Sequence, residues 1–126
     1  MTVVLDASAV LALLNGEPGA AMVKERLPDA VISVVNLVEV GTKLIDNGMS
    51  FEAAREAIEL LELAIEEFDL SLAELAIQLR PATKGVGLSL ADRACLALAV
   101  RLEAVAMTAD KVWASVDVGC KIELIR

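Results

Sequence analysis

Acidic residues lie just beyond short apolar runs at two points of the sequence. Asp6 follows the run Thr2–Leu5, and Asp110 comes shortly after the run Ala104–Met107. If both runs are strands of one parallel sheet, their carboxyl ends share an edge and the two acids can converge there. Gathered carboxylates repel one another and take up protons unless a cation offsets their charge. The pattern therefore predicts a cation site lined by oxygen atoms.

Two more acids are expected at the same edge. Glu39 lies about one to two helical turns beyond the apolar run Ala30–Ser33, and Asp92 lies in the first turn of a helix that begins at Leu90. The chain has no histidine and only two, widely separated cysteines. Oxygen ligands alone favour Mg²⁺ or Mn²⁺. The reaction that such a site favours is phosphodiester hydrolysis, in which the cation activates water and offsets developing charge.

Each acid also has a simpler structural interpretation. Asp6 and Asp110 could each cap the helical turn that follows. Ser89-Leu-Ala-Asp92 has the form of a capping box, and so does Ser71-Leu-Ala-Glu74, where no chemistry is expected. Glu39 could lie on a solvated helix face. Only the joint pattern of the four acids supports a site.

Predicted strands and helices alternate along the whole chain. The predicted strands are Thr2–Leu5, Ala30–Ser33, Ile65–Phe68 (an edge strand), Ala104–Met107 and Lys121–Ile125. The predicted helices are Ala7–Leu14, Pro18–Arg26, Val35–Ile45, Phe51–Leu63, a helix capped by Ser71 that ends near Leu79, Leu90–Leu102 and a short turn after Asp110, with a loop at Arg80–Gly87. Alternation of this kind predicts an α/β fold: a three-layer α/β/α sandwich around a central, mainly parallel sheet of four to five strands.

Length and composition narrow the function classes. The 126 residues suit one domain, residues 1–126, and 57% of them are hydrophobic. The longest uncharged stretch, Ala7–Gly16, is too short to cross a membrane, and no basic segment precedes it, so we expect a cytoplasmic protein. The net charge of −8 counts against non-specific nucleic-acid binding unless several acids hold cations, and it suits a basic partner. The single tryptophan, Trp113, is expected to pack against the sheet.

Four segments in order resemble the PIN-domain ribonucleases, most closely the VapC-type toxins of toxin–antitoxin pairs. These segments are Val3–Ser8, Ser33–Val40, Gly87–Ala94 and Met107–Asp110. The resemblance covers essentially the whole chain. It implies an endoribonuclease that depends on Mg²⁺ or Mn²⁺.

The resemblance also assigns roles to individual residues. It implies that the catalytic acids are Asp6, Glu39, Asp92 and Asp110, of which Asp6, Asp92 and Asp110 hold the metal. The hydroxyls of Ser8 and Thr108 match positions that support the site. Candidate contacts to substrate phosphate are Lys43, Arg93 and Lys111, with Arg80 and Lys84 as further basic residues. Arg93 directly follows Asp92 and could instead pair with a carboxylate.

Similar proteins are typically homodimers, cut RNA, and are inhibited by a VapB-like antitoxin that often places a basic side chain in the acidic cleft. The resemblance therefore implies three partners for this chain: RNA, an antitoxin and a second copy. Two alternatives stay open. One is a catalytically silent PIN-like binding module, and the other is a small metal-dependent phosphatase on a similar sheet.

Overall fold

A computed structural model describes residues 1–126, and its five strands form a single parallel sheet. The strands are β1 (Val3–Leu5), β2 (Ala30–Ser33), β3 (Ala64–Glu66), β4 (Val105–Thr108) and β5 (Ile122–Leu124). Their order in the sheet is β3-β2-β1-β4-β5, and every neighbouring pair is parallel. The predicted parallel sheet is confirmed, with the acidic strand β3 at an edge as expected.

Seven α-helices connect and cover the strands. They are α1 (Ala7–Asn15), α2 (Ala20–Arg26), α3 (Val34–Asp46), α4 (Phe51–Glu59), α5 (Leu70–Gln78), α6 (Arg80–Thr83) and α7 (Leu90–Arg101). Short 3₁₀ helices occupy Leu27–Asp29, Lys84–Val86 and Lys111–Ser115. None of the seven α-helices has the length and hydropathy that a membrane crossing needs.

Three local predictions were wrong. The segment 80–87 is not a loop but contains α6 and a 3₁₀ helix, because Pro81 lies in the first turn of α6, where its missing N–H is no loss. Ser71 does not cap α5: the helix begins at Leu70, two residues earlier than predicted, and the Asp69 carboxylate accepts the Leu72 N–H at 2.9 Å. Helix α4 ends at Glu59, because the chain then turns so that Leu61 and Leu63 pack on the core.

The sheet separates two apolar cores, which completes the three-layer sandwich. Val3 and Leu5 face the core shared with α1 and α3, whereas Val4 between them faces the core built by α5 and α7. All three side chains are fully buried, as expected for a strand covered on both faces. Trp113 is fully buried in the second core, which confirms its predicted packing.

The strand order places a crevice between β1 and β4. From β1 the chain adds β2 and β3 on one side and β4 and β5 on the other, so the connections diverge at this pair of strands. Ligands of open parallel sheets bind beyond the carboxyl ends of the strands at such a point. Asp6 leaves β1 here, and its N–H donates to the Met107 carbonyl of β4 at 2.9 Å.

Candidate active site

Asp6 lies at the base of the crevice and is 4% exposed. Its Oδ2 atom accepts hydrogen bonds from Ser8 Oγ at 2.7 Å and from Thr108 Oγ1 at 2.8 Å. Although Asp6 precedes α1, its side chain accepts no backbone N–H of that helix. The simpler interpretation of Asp6 as a helix cap is therefore wrong. Its carboxylate is instead held by two hydroxyls at the ends of the crevice walls.

The two hydroxyls are oriented by the backbone that follows β4. Ser8 Oγ accepts the Ala109 N–H at 2.9 Å, and Thr108 Oγ1 accepts the Asp110 N–H at 3.0 Å. Because each hydroxyl oxygen already accepts a bond, its own hydrogen is free to donate to Asp6. The network ties the ends of β1 and β4 together and fixes one carboxylate oxygen of Asp6. The other oxygen, Oδ1, makes no hydrogen bond.

Asp92 and Asp110 each combine a capping role with a place in the crevice. Asp92 Oδ2 accepts the Ser89 N–H at 2.8 Å in a capping box, and Asp110 Oδ1 accepts the Val112 N–H at 3.0 Å. One oxygen of each carboxylate is thereby fixed, and the second makes no hydrogen bond. Both side chains line the same cleft as Asp6. Capping and ligation are therefore compatible, because a carboxylate has two oxygens.

Glu39 projects from α3 into the cleft and is half-buried. Its Oε1 atom accepts a hydrogen bond from Asn36 Nδ2 at 2.9 Å. Asn36, one turn before Glu39, is fully buried, whereas Thr42, one turn after it, is exposed, so Glu39 lies at the boundary between the protein interior and the open cleft. The same Nδ2 atom donates to the Ala91 carbonyl of α7 at 3.0 Å.

The acids of the cleft destabilise one another's charge. Burial raises the pKa of Asp6 to about 6, the bonds from Ser8 and Thr108 oppose the rise, and the charges of Asp92 and Glu39 add to it. Burial also raises the pKa of Glu39; the bond from Asn36 opposes this, and the charge of Asp92 adds to it. Three of the four acids are therefore electrostatically coupled, and a cation among them would lower the raised pKa values of Asp6 and Glu39.

No ion pair of the structure includes a cleft acid. The ion pairs join Arg26 to Glu123, Arg55 to Glu52 and Glu59, Arg101 to Asp69, and Arg126 to Glu17. The cleft has a volume of about 510 Å³, and Asp46 adds a fifth carboxylate to its lining. Lys43 is its single basic lining residue and makes no ion pair there. The cleft is therefore short of positive charge.

The donor set fits a hard divalent cation with retained water ligands. As they stand, no three acidic or cysteine side chains are close enough together to enclose an ion directly. Mg²⁺ commonly keeps several waters and binds through one or two carboxylates, so it does not require such an enclosure. The free oxygens of Asp6, Asp92 and Asp110 and the carboxylate of Glu39 are the groups available to it.

Sequence comparison identifies the fold family. The PIN domain family model matches residues 3–119. The chain belongs to the PIN domain family. No curated protein matches the chain in sequence.

Solved structures share the PIN fold over almost the entire chain. A chain of Rickettsia felis VapBC2, crystallised on a promoter DNA fragment, has a TM-score of 0.79 at 17% identity, with 98% of each chain covered. A toxin–antitoxin complex from Klebsiella pneumoniae contains a chain with a TM-score of 0.79 at 20% identity, covering 99% of this chain and 98% of the other. A chain of VapBC-5 from Mycobacterium tuberculosis has a TM-score of 0.64 at 21% identity, covering 100% of this chain and 99% of the other. At these identities the similarity concerns the fold.

The predicted basic residues of this PIN domain are not gathered at the cleft. Lys43 lines it, whereas Arg93 points to α5 and donates from Nη1 to the Ala76 carbonyl at 3.1 Å. Arg93 also makes no ion pair with a carboxylate. Lys111, Arg80 and Lys84 do not line the cleft. Of the predicted phosphate contacts, Lys43 is therefore the one that lines the cleft.

Two features of the PIN domain were not predicted as parts of the site. One is Asn36, whose sequence signal is its position one turn before Glu39 and one turn after the cap Ser33. The other is an apolar groove of about 500 Å³ between α3 and α4, which shares Val38 and Thr42 with the cleft. Phe51, the first residue of α4, is 64% exposed and lines this groove.

Proposed function

We propose that this PIN domain is an endoribonuclease that depends on Mg²⁺ or Mn²⁺ and acts as the toxin of a VapBC-type pair. The observation that carries the proposal is the cleft itself: four carboxylates at the β1–β4 crevice, none of them in an ion pair, with the pKa of Asp6 raised to about 6. A site of this kind is unfavourable without a cation. The family resemblance supplies RNA as the substrate.

Each residue has a proposed role in hydrolysis. Asp6, Asp92 and Asp110 hold the cation, and Glu39 completes the site by binding the cation or its water. When bound, the cation supplies charge neutralisation at phosphate and activation of water. Ser8 and Thr108 hold the Asp6 carboxylate in place. Lys43, at the cleft wall, contacts a substrate phosphate.

Cleavage of RNA by the Asp6→Asn variant tests the proposal. Asn keeps the size of Asp6 and can still accept from Ser8 and Thr108, so we expect a folded protein without measurable cleavage or toxicity. The wild type should cut RNA with Mn²⁺, lose activity in EDTA, and leave a phosphomonoester intact. Full activity of Asp6→Asn, or activity that survives EDTA, contradicts the metal mechanism. Hydrolysis of the phosphomonoester alone would favour the phosphatase alternative.

The inhibitor in this proposal is a VapB-like antitoxin that uses the apolar groove and the acidic cleft together. The groove exposes large apolar side chains, with Val38 and Phe51 each 64% exposed, and it opens into the cleft at Val38 and Thr42. A partner segment with an apolar helical face and a following basic side chain would satisfy both surfaces. Such a segment would also supply the positive charge that the cleft lacks.

Co-purification with the product of the neighbouring reading frame tests this partner. Phe51→Asp should abolish the complex, because it places a charge in the apolar groove. Leu60→Asp is the matched control, since Leu60 is 83% exposed and lies outside the groove. Equal loss of the complex in both variants, or in neither, contradicts docking in the groove.

The proposal includes a homodimer, which the resemblance implies. Light scattering coupled to size-exclusion chromatography measures the mass directly. A mass of twice 13.3 kDa supports the dimer, and a mass of 13.3 kDa at all concentrations contradicts it.

A further inference from the structure

A single buried amide joins the Glu39 side of the cleft to the helix that carries Asp92. Asn36 lies in the first turn of α3 and is fully buried. Its Nδ2 atom donates to Glu39 Oε1 at 2.9 Å and to the Ala91 carbonyl at 3.0 Å. Because both acceptors are oxygens, they fix which end of the amide is the nitrogen, and both of its hydrogens are used.

The two bonds have different consequences. The bond to Ala91 anchors the amide to the first turn of α7, the turn that also contains Asp92. The bond to Glu39 then fixes a long and otherwise mobile carboxylate side chain relative to that turn. A glutamate loses rotamer freedom when it is immobilised. A carboxylate that is already held therefore loses less conformational entropy when it binds a cation than a freely rotating carboxylate does.

A purely structural link between α3 and α7 explains the amide poorly. Asn36 Oδ1 is buried without any hydrogen-bond partner, and an unsatisfied buried acceptor destabilises a fold. An apolar side chain of similar size would avoid this penalty. What distinguishes the amide from an apolar side chain is therefore its two donated hydrogen bonds, one of which ends on the Glu39 carboxylate in the cleft.

We propose that Asn36 is a positioning residue that holds the Glu39 carboxylate in place for the divalent cation. The inference rests on the proposed metal-dependent function. It places Asn36 behind Glu39, out of contact with cation and substrate. Partners of metal-ligating groups commonly act in this way, and their loss weakens metal affinity.

Titration calorimetry with Mn²⁺ on the full chain tests the proposal through a double-mutant cycle. The variants are Asn36→Leu, Glu39→Ala and the double variant, with Asn36→Ala as a second form of the first change. Asn36→Leu keeps the number and branching of side-chain heavy atoms, although its methyl groups are larger, and it removes the unsatisfied acceptor, so it should melt close to the wild type. It should still bind Mn²⁺ about tenfold more weakly. A purely structural role would lower the melting temperature and leave Mn²⁺ affinity unchanged.

The double variant decides whether Asn36 acts through Glu39. If it does, Asn36→Leu adds less than about a twofold loss of affinity once Glu39 is absent, because coupled residues are not additive. Independent, multiplying losses overturn the proposal, and so does wild-type affinity in either folded Asn36 variant. Wild-type protein that binds no Mn²⁺ instead contradicts the proposed function itself, so the two failures are distinguishable.

Thr83→Val is the matched control for loss of a buried polar group. Thr83 is fully buried, and its hydroxyl donates to the Leu79 carbonyl at 2.9 Å, outside the cleft. The substitution should change stability and leave Mn²⁺ affinity within about twofold of the wild type. A loss of affinity equal to that of Asn36→Leu would show that any buried polar change disturbs the site, and it would overturn the specific role of Asn36.

Discussion

Helix α7 has an aspartate beside each of its ends, in opposite electrostatic surroundings. At its last turn Arg101 pairs at 2.9 Å with Asp69, the cap of α5. The Leu72 N–H and then Arg101 lower the pKa of Asp69. At its first turn Asp92 also accepts a backbone N–H, but it has no cation partner and it raises the pKa of Asp6 and Glu39.

The comparison separates two uses of the same side chain. Both aspartates stabilise the start of a helix, so capping does not distinguish them. Arg101 satisfies the charge of Asp69 from within the fold, whereas the acids around Asp92 share a cleft without an ion pair. Since the chain has 11 basic residues, the pairing at Asp69 could have been repeated there. The unpaired charge is therefore the feature that distinguishes a candidate site from a capped helix.

Neutralising each aspartate in turn gives the largest expected contrast. Asp92→Asn should reduce the proposed RNA cleavage at least about 100-fold, because the proposed cation contact is lost, while the amide oxygen can still accept the Ser89 N–H. Asp69→Asn should leave cleavage within about twofold of the wild type. Initial rates with Mn²⁺ measure both. Comparable losses of activity in the two variants would contradict the assignment of Asp92 to the site.

Stability in the absence of metal should respond to the two carboxylates in opposite directions. The pKa of Asp6 is raised from 3.8 to about 6. The stability that the protonated carboxyl contributes to the fold is therefore complete below pH about 4 and is lost as the pH rises through 6. At pH 7.5 in EDTA, the free energy of unfolding of Asp6→Asn should therefore exceed that of the wild type by about 2–3 kcal/mol. Urea denaturation measures this difference. The two proteins should converge near pH 4.

Asp69 is the internal control for that measurement. Its pKa is lowered, so the ionised carboxylate stabilises the fold at neutral pH, and this stabilisation is lost as the pH falls through the lowered pKa. Asp69→Asn should therefore be less stable than the wild type at pH 7.5, the reverse of Asp6→Asn. If both variants are less stable than the wild type at pH 7.5, the ionised Asp6 carboxylate does not destabilise the fold, which contradicts the prediction.

Local signals predicted the sheet and the two acids that follow β1 and β4, whereas Glu39 and Asp92 were predicted from the joint pattern and the resemblance. Apolar runs such as Ala30–Ser33 have few alternatives to a buried strand, and the acid after each strand is fixed by chain connectivity. The resemblance to PIN domains then ordered the motifs. The capping pattern at Ser89 was also predicted, and the structure contains that capping box.

The remaining features depend on contacts that no local pattern encodes. Whether Arg93 reaches the cleft or α5 depends on how α5 packs against α7, and the structure places it on the Ala76 carbonyl. The position of Asn36 depends on Ala91, far away in sequence, and the groove at Phe51 depends on how α4 packs against α3. Ser71 failed as a cap because Asp69, two residues earlier, competes for the same helix start.

A positive side chain introduced at the cleft gives the smallest expected effect. Thr42 is exposed, lines the cleft and lies one turn after Glu39, so Thr42→Lys brings a positive charge to the acids as Arg101 does for Asp69. An exposed pair of this kind contributes only about 0.2–1 kcal/mol, so Mn²⁺ affinity should fall less than about fivefold. Thr42→Gln, similar in length but neutral, should bind as the wild type does. Because salt screens exposed charges, the difference between the two variants should shrink at high ionic strength. A loss that is equal in both variants would mean that bulk, rather than charge, limits the cleft.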